Sequence, residues 1–122
     1  MTILTKYHDT EAFVTKDGSL IRELMHPAKH ANRNQSFAEA LIPPGVATRL
    51  HRHRLSEEIY HITAGSGVMT LDDRHFVVAV GDTLYIPPGT AHNIHNTGSD
   101  DLRILCACSP AYAHDDTELL ED

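Results

Sequence analysis

The sequence predicts an all-β chain, a two-sheet jelly roll closed into a small barrel, and three observations carry that reading. Turn signals recur along the chain at Asp17-Gly18, Pro43-Pro44-Gly45, Gly65-Ser66-Gly67, Asp72-Asp73, Gly81-Asp82, Pro87-Pro88-Gly89 and Thr97-Gly98-Ser99. Between them lie short apolar or alternating runs, with almost no helical periodicity. The tetrapeptide Ile-Pro-Pro-Gly occurs at 42–45 and again at 86–89, so two similar halves are expected to meet at one junction.

Nine strands follow in order. Leu20 to Met25 and Ser36 to Ile42 are apolar-rich runs on either side of the polar stretch Lys29 to Gln35, which reads as a loop. Ala47 to Arg52 leaves the first Pro-Pro-Gly turn, and Glu57 to Thr63 alternates up to Gly65. Gly67 to Leu71 and His75 to Val80 flank Asp72-Asp73, and Thr83 to Ile86 runs into the second Pro-Pro-Gly turn. Ala91 to Asn96 leaves that turn, and Leu102 to Cys108 completes the set. The tail after Pro110, AYAHDDTELLED, is expected to form a short helical turn capped by Asp116 or Thr117, with Leu119 and Leu120 packed on the barrel.

A chain of 122 residues is one domain, long enough to close a core without disulfides. Residues 1–42 supply the N-terminal strands, 45–96 the barrel motifs and 110–122 the tail. With 10 Lys+Arg against 17 Asp+Glu the net charge is -7, which excludes general nucleic-acid binding because a phosphate backbone demands a basic face. No run approaches the length of a membrane span, and MTILTKYHDTEAF has no apolar signal core, so a cytoplasmic protein is expected. Cys106 and Cys108 lie two apart on one face of one strand, which reads as a pair of buried free thiols in a reducing compartment.

The residues that point to chemistry lie in GVATRLHRHRLSEEIYHITAG, residues 45–65. Alternate side chains of a strand share a face, so His51 and His53 send two imidazoles into one space, about 7 Å apart at the backbone. Glu58 opens the next strand and His92 opens the strand after the second Pro-Pro-Gly turn. Three imidazoles and one carboxylate suit a divalent first-row metal ion: Fe, Mn, Ni, Co, Cu or Zn. Parity sets Glu57, His61 and His95 on opposite faces from these four. His8, His26, His30, His75 and His114 have no partner spacing and read as solvated surface.

Gly45, five residues, His51-x-His53, four residues, Glu58, six residues, Gly65 is similar to the first motif of the cupin superfamily. Gly81, five residues, Pro87-x-Gly89, two residues, His92, three residues, Asn96 resembles the second. The resemblance is to a small single-domain cupin, whose fold is a double-stranded β-helix. It implies that His51, His53, Glu58 and His92 coordinate one divalent metal inside the barrel, leaving two adjacent positions open. The four glycines, Gly45, Gly65, Gly81 and Gly89, fall where turns need positive φ or close approach. Asn96 is expected to make structural hydrogen bonds rather than to ligate.

Around the ligands, Tyr60 and Ile62 share the parity of Glu58 and are expected to line the cavity, with Val68 nearby. Tyr60 is also the candidate proton carrier, together with Glu58. Arg49 has the parity of His51 and is expected at the pocket mouth, steering an anionic substrate. Arg22, Tyr85 and Cys108 are further pocket candidates. One barrel hosts many chemistries. The leading expectation is a dioxygenase or other oxidoreductase acting on a small molecule. The alternatives are a metal-dependent isomerase, lyase or decarboxylase of a sugar or carboxylate, and a non-catalytic small-molecule binding protein. A jelly roll of this size leaves strand edges at its N-terminal segment, and the resemblance implies that small cupins pair across such strands into a homodimer, with Leu20 to Met25 and Ser36 to Ile42 the candidates.

Overall fold

A computed structural model of the chain describes residues 2–121. Its strands are β1 (Ala12–Val14), β2 (Leu20–Met25), β3 (Ser36–Ile42), β4 (His51–His53), β5 (Glu57–Ala64), β6 (Ser66–Leu71), β7 (Arg74–Ala79), β8 (Thr83–Ile86), β9 (His92–Asn96), β10 (Leu102–Ser109) and β11 (Thr117–Leu119). Short 3-10 turns occur at Tyr7–Asp9 and His114–Asp116. The strands form two sheets, β1-β2-β3-β10-β5-β8 and β11-β4-β9-β6-β7, in which neighbours run antiparallel. The expected all-β jelly-roll barrel is what the chain forms.

The expected strands are present, and eight of the nine have ends within one residue of the reading above. The strand expected over Ala47 to Arg52 differs. Only His51–His53 forms a ladder there, while Ala47 makes an isolated bridge to His95. The backbone donors between them go elsewhere: Thr48 to Ile94 O, Arg49 to Asp17 O and Leu50 to the Glu121 carboxylate.

The tail also departs from expectation. It continues past the 3-10 turn into β11, which pairs with β4 through Thr117↔His53, Glu118↔Arg52 and Leu119↔His51. Asp116 caps no helix; its carboxylate accepts from Leu55 N and Ser56 N in the turn after β4. Leu119 is half-buried and Leu120 exposed. Strand β1 was not expected, since three residues carry too little alternation to read. It occupies one edge of the larger sheet and pairs with Leu20 to Arg22, so among the described residues β3 has a strand on both sides while Glu23 to Met25 of β2 have no β1 partner. His26 and His30, expected in solvent, are half-buried, and His30 Nδ1 accepts from His26 N at 2.9 Å.

Register sorts the interior into layers. Across β3, β10 and β5, Ser36, Cys108 and Glu58 lie in one row, Ala38, Cys106 and Tyr60 in the next, and Ala40, Ile104 and Ile62 in the third. Ile42 and Leu102 form a fourth row. The rows grade from polar to apolar, and the core of Ile42, Ile62, Met69, Ile94, Leu102 and Ile104 fills the apolar end, while Ile86 lies opposite Glu58 in the first row. The other end stays open for polar side chains.

The two Pro-Pro-Gly turns match each other. Gly45 and Gly89 have φ of +78° and +77°, a left-handed conformation that costs a Cβ-bearing residue about 1 kcal/mol. Asn96 holds the first turn in place as expected. It is fully buried, and its Nδ2 donates to Ile42 O and Asp100 O, both at 2.8 Å, while Oδ1 accepts from Gly98 N at 2.9 Å. Replacing Asn96 with Ala leaves these groups unpaired in a dry interior, and urea unfolding is expected to show a loss of about 3 kcal/mol with an unchanged m-value.

Candidate metal centre

The centre is built where β4 crosses to β9. These strands share one register pair, His51↔His92, so the third imidazole is set beside the first two. His51, His53 and His92 are all buried, and one ring nitrogen from each lies within 4.8 Å of the others. Glu58 enters from the opposite sheet, with Oε1 at 3.3 Å from His53 Nε2 and 3.6 Å from His92 Nε2. The residues expected to converge therefore do so, Glu58 contacting two of the three histidines. Glu57, His61 and His95 are exposed, as parity requires.

Hydrogen bonds at the far side of each ring decide which nitrogen faces the cavity. His51 Nδ1 lies 2.7 Å from Arg49 O and His92 Nδ1 lies 2.9 Å from Thr90 O. A carbonyl only accepts, so both Nδ1 atoms carry the proton. His53 Nδ1 lies 2.9 Å from Thr117 Oγ1, whose own proton goes to Ala113 O at 3.1 Å, so that Nδ1 also donates. Each Nε2 is left with a lone pair directed at the others, the ring state of a metal ligand.

Two buried atoms here have no hydrogen-bond partner, His92 Nε2 and Glu58 Oε1. An unsatisfied buried polar atom costs about 1–3 kcal/mol, and lone pairs facing a carboxylate repel it. A cation among these donors removes both penalties, and the nitrogen-rich donor set with one carboxylate suits a divalent transition metal. The residues present fit the group.

Charge follows burial. Burial and the neighbouring His92 push His51 down to about 4, so its ring is neutral in the folded chain at ordinary pH. Burial alone would raise the Glu58 carboxyl, but positive charge at the facing His53 and His92 nitrogens, which a bound cation supplies when the rings are neutral, more than offsets this and holds it well below the usual carboxylate range. Burial, then the Glu58 charge, raises Tyr60, Cys106 and Cys108, so all three keep their protons. The cysteines are free and buried, as expected. Cys108 Sγ lies 3.2 Å from Glu58 Oε2, leaving Oε1 to face the histidines.

A cavity of about 50 Å3 opens beside His51, His53 and Glu58. Tyr60, Cys106 and Cys108 form part of its wall. Ile62 does not. It has the expected parity but sits one row deeper, fully enclosed by the core. Arg49 is exposed and absent from the wall, because its backbone is tied to Asp17 and His51 and its side chain turns outward. Val68 points away from the interior, where Gly67 and Met69 are buried instead. Arg22 stacks on the Tyr7 ring at 4.8 Å, and the exposed Tyr85 donates to Glu57, so neither reaches the cavity.

The sequence reading missed Asp17, Tyr112 and Thr117, all on the cavity wall. Asp17 Oδ2 lies 3.5 Å from His51 Nε2. The Asp17-Gly18 pair signals only a turn, and Thr117 resembles a helix cap. Nothing local links Thr117 to His53, 64 residues away.

Comparison with known proteins places this geometry among relatives. A family model for the cupin domain matches residues 38–108. An uncharacterized protein of Methanocaldococcus jannaschii is 53% identical over 119 residues, covering 98% of this chain and 95% of its own. The crystal structure of a predicted oxalate decarboxylase from Thermotoga maritima is 26% identical with a TM-score of 0.76, covering 88% of this chain and 99% of that one. The polyketide cyclase RemF from Streptomyces resistomycificus superposes with a TM-score of 0.82 at 20% identity, covering 100% of this chain and 87% of that one.

Two outcomes follow. Thr117→Val removes the acceptor that orients His53, and titration with Co2+ or Zn2+ is expected to show at least tenfold weaker binding with the fold intact. Because His51 has a folded pKa near 4 against 6.5 in the unfolded chain, protons favour unfolding between those values. The metal-free protein is therefore expected to hold its thermal midpoint above pH 6.5 and to lose stability as pH falls toward 4.

Proposed function

The chain belongs to the cupin family, and on that premise we propose that it is a metal-dependent enzyme acting on a small organic molecule bound beside His51, His53, Glu58 and His92. The observation that supports this is the pair of unpartnered buried atoms, His92 Nε2 and Glu58 Oε1, next to an open cavity. A structural ion site is closed by protein ligands, whereas a catalytic one keeps access for a substrate. A divalent ion held there would supply Lewis acidity toward an oxygen atom of the bound molecule.

The surrounding residues favour proton transfer, as in an isomerase or lyase, over oxygen chemistry. Tyr60 keeps its proton and so can donate a hydrogen bond to a developing anion. Glu58 is held ionised, with Oε2 fixed by the Cys108 thiol. The thiols of Cys106 and Cys108 line the same cavity, and sulfur so placed is a target for any strong oxidant formed there. The oxygenase expected from the sequence would have to protect them.

The test loads the protein with Fe2+ or Mn2+ and offers a panel of small hydroxy, keto and enol compounds in deuterated water. Deuterium incorporation or conversion without oxygen uptake is expected. Oxygen consumption coupled to turnover would instead identify an oxygenase, and metal binding without any turnover a binding protein. Tyr60→Phe is expected to lower turnover about tenfold or more at unchanged metal content.

We also propose a homodimer, formed through the outer face of the larger sheet rather than through β2 or β3. Phe37, Ala107, Ile59 and Tyr85 are neighbours across β3, β10, β5 and β8. Phe37, Ile59 and Tyr85 are 39%, 43% and 52% exposed, an apolar row that a second copy could cover. Sedimentation equilibrium is expected to give a dimer for the native chain and a monomer for Ile59→Asp; a native monomer at micromolar concentration would refute the proposal.

A further inference from the structure

The cavity wall carries three carboxylates and no lysine or arginine. Asp17, Glu23 and Glu58 all line it. Asp17 is held firmly: Oδ1 accepts from Ser19 N at 2.9 Å, Ser19 Oγ at 2.6 Å and Thr15 Oγ1 at 2.8 Å. Those three donors fix the carboxylate in the turn between β1 and β2 and leave Oδ2 on the cavity side, 3.5 Å from His51 Nε2. Glu23 is on β2, its side chain 15% exposed. Its nearest basic group is His26, 3.8 Å away. That ring accepts at Nδ1 from Ala28 N and donates from Nε2 to Tyr112 O, so it brings no counter-charge.

The cations near the centre in sequence are turned elsewhere. Lys16 Nζ donates to His114 O and Thr117 O, and Arg52 pairs with Glu118. Arg22 donates to Thr10 O, and Arg49 is exposed. A second, independent feature marks the place as a ligand site: Glu58 Oε1 and His92 Nε2 are buried, unpartnered and convergent.

Resting on the metal-centre reading above, we infer that the cavity takes a neutral or cationic small molecule carrying a hydroxyl or amine donor. Asp17 is the specificity-determining carboxylate that receives this donor and repels anions. A divalent ion neutralises Glu58 and one further carboxylate at most, so an incoming carboxylate or phosphate meets uncompensated negative charge with no guanidinium or ammonium to pair with. Unit charges a few ångströms apart in a partly desolvated pocket interact by more than thermal energy, enough to exclude the wrong sign. A hydroxyl, by contrast, finds a free carboxylate oxygen beside the metal ligands.

The test uses Co2+-loaded protein and two probes of similar size, hydroxyacetone and glycolate, followed through the visible absorption of the cobalt. Glycolate is expected to bind no more tightly than hydroxyacetone, the reverse of their order on the free ion. Asp17→Asn preserves the acceptor that Ser19 and Thr15 use. It is expected to tighten glycolate about tenfold while leaving Co2+ retention unchanged. Glu23→Gln, which lies outside that turn, is expected to shift glycolate in the same direction by a smaller factor. Tight glycolate binding that neither substitution alters would overturn the inference. Failure of cobalt to bind at all would count against the metal centre itself.

Discussion

One register pair sets the functional end of the molecule: His51 opposite His92, the only ladder contact between β4 and β9 among the described residues. A slip of one residue at that point would send His92 to the outer face and break the triad. The three-residue strand carrying His51 and His53 is too short to fix its own register. It is held by what flanks it, the Ala47–His95 bridge on one side and β11 on the other. The tail thus belongs to the centre. Through Thr117 it orients His53, and through Asp116 it ties down the turn after β4.

The second constraint is the gradient along the barrel. The same alternation that buries Ile62, Ile104 and Ile42 at one end brings Glu58, Cys108 and Ser36 together at the other. A close-packed apolar floor gives the metal-binding side chains rigid backbones to stand on. It also confines water and ligands to the open end. Function and stability are therefore laid out along one axis, the polar rows for the centre and the apolar rows for folding.

Much of this was legible in the sequence because it depends on local rules. Strand parity placed His51, His53 and Glu58 inward and excluded Glu57, His61 and His95. The repeated Ile-Pro-Pro-Gly turn pointed to His92. Failures came where tertiary contacts override local pattern. Arg49 has the right parity, but the chain around it is not in a ladder, so parity says nothing about its side chain. Ile62 faces inward yet lies below the cavity, a depth that alternation cannot report. Asp17 and Thr117 reach the centre only by long-range packing, and their local signals, a turn and a cap, name different roles.

All of these readings rest on three imidazoles binding one ion. X-ray absorption at the metal edge of protein loaded with one equivalent of Co2+ or Zn2+ measures this most directly, since imidazole rings give a distinctive multiple-scattering pattern. Three imidazole ligands together with oxygen donors are predicted. A spectrum with one imidazole or none would contradict a centre made of His51, His53 and His92.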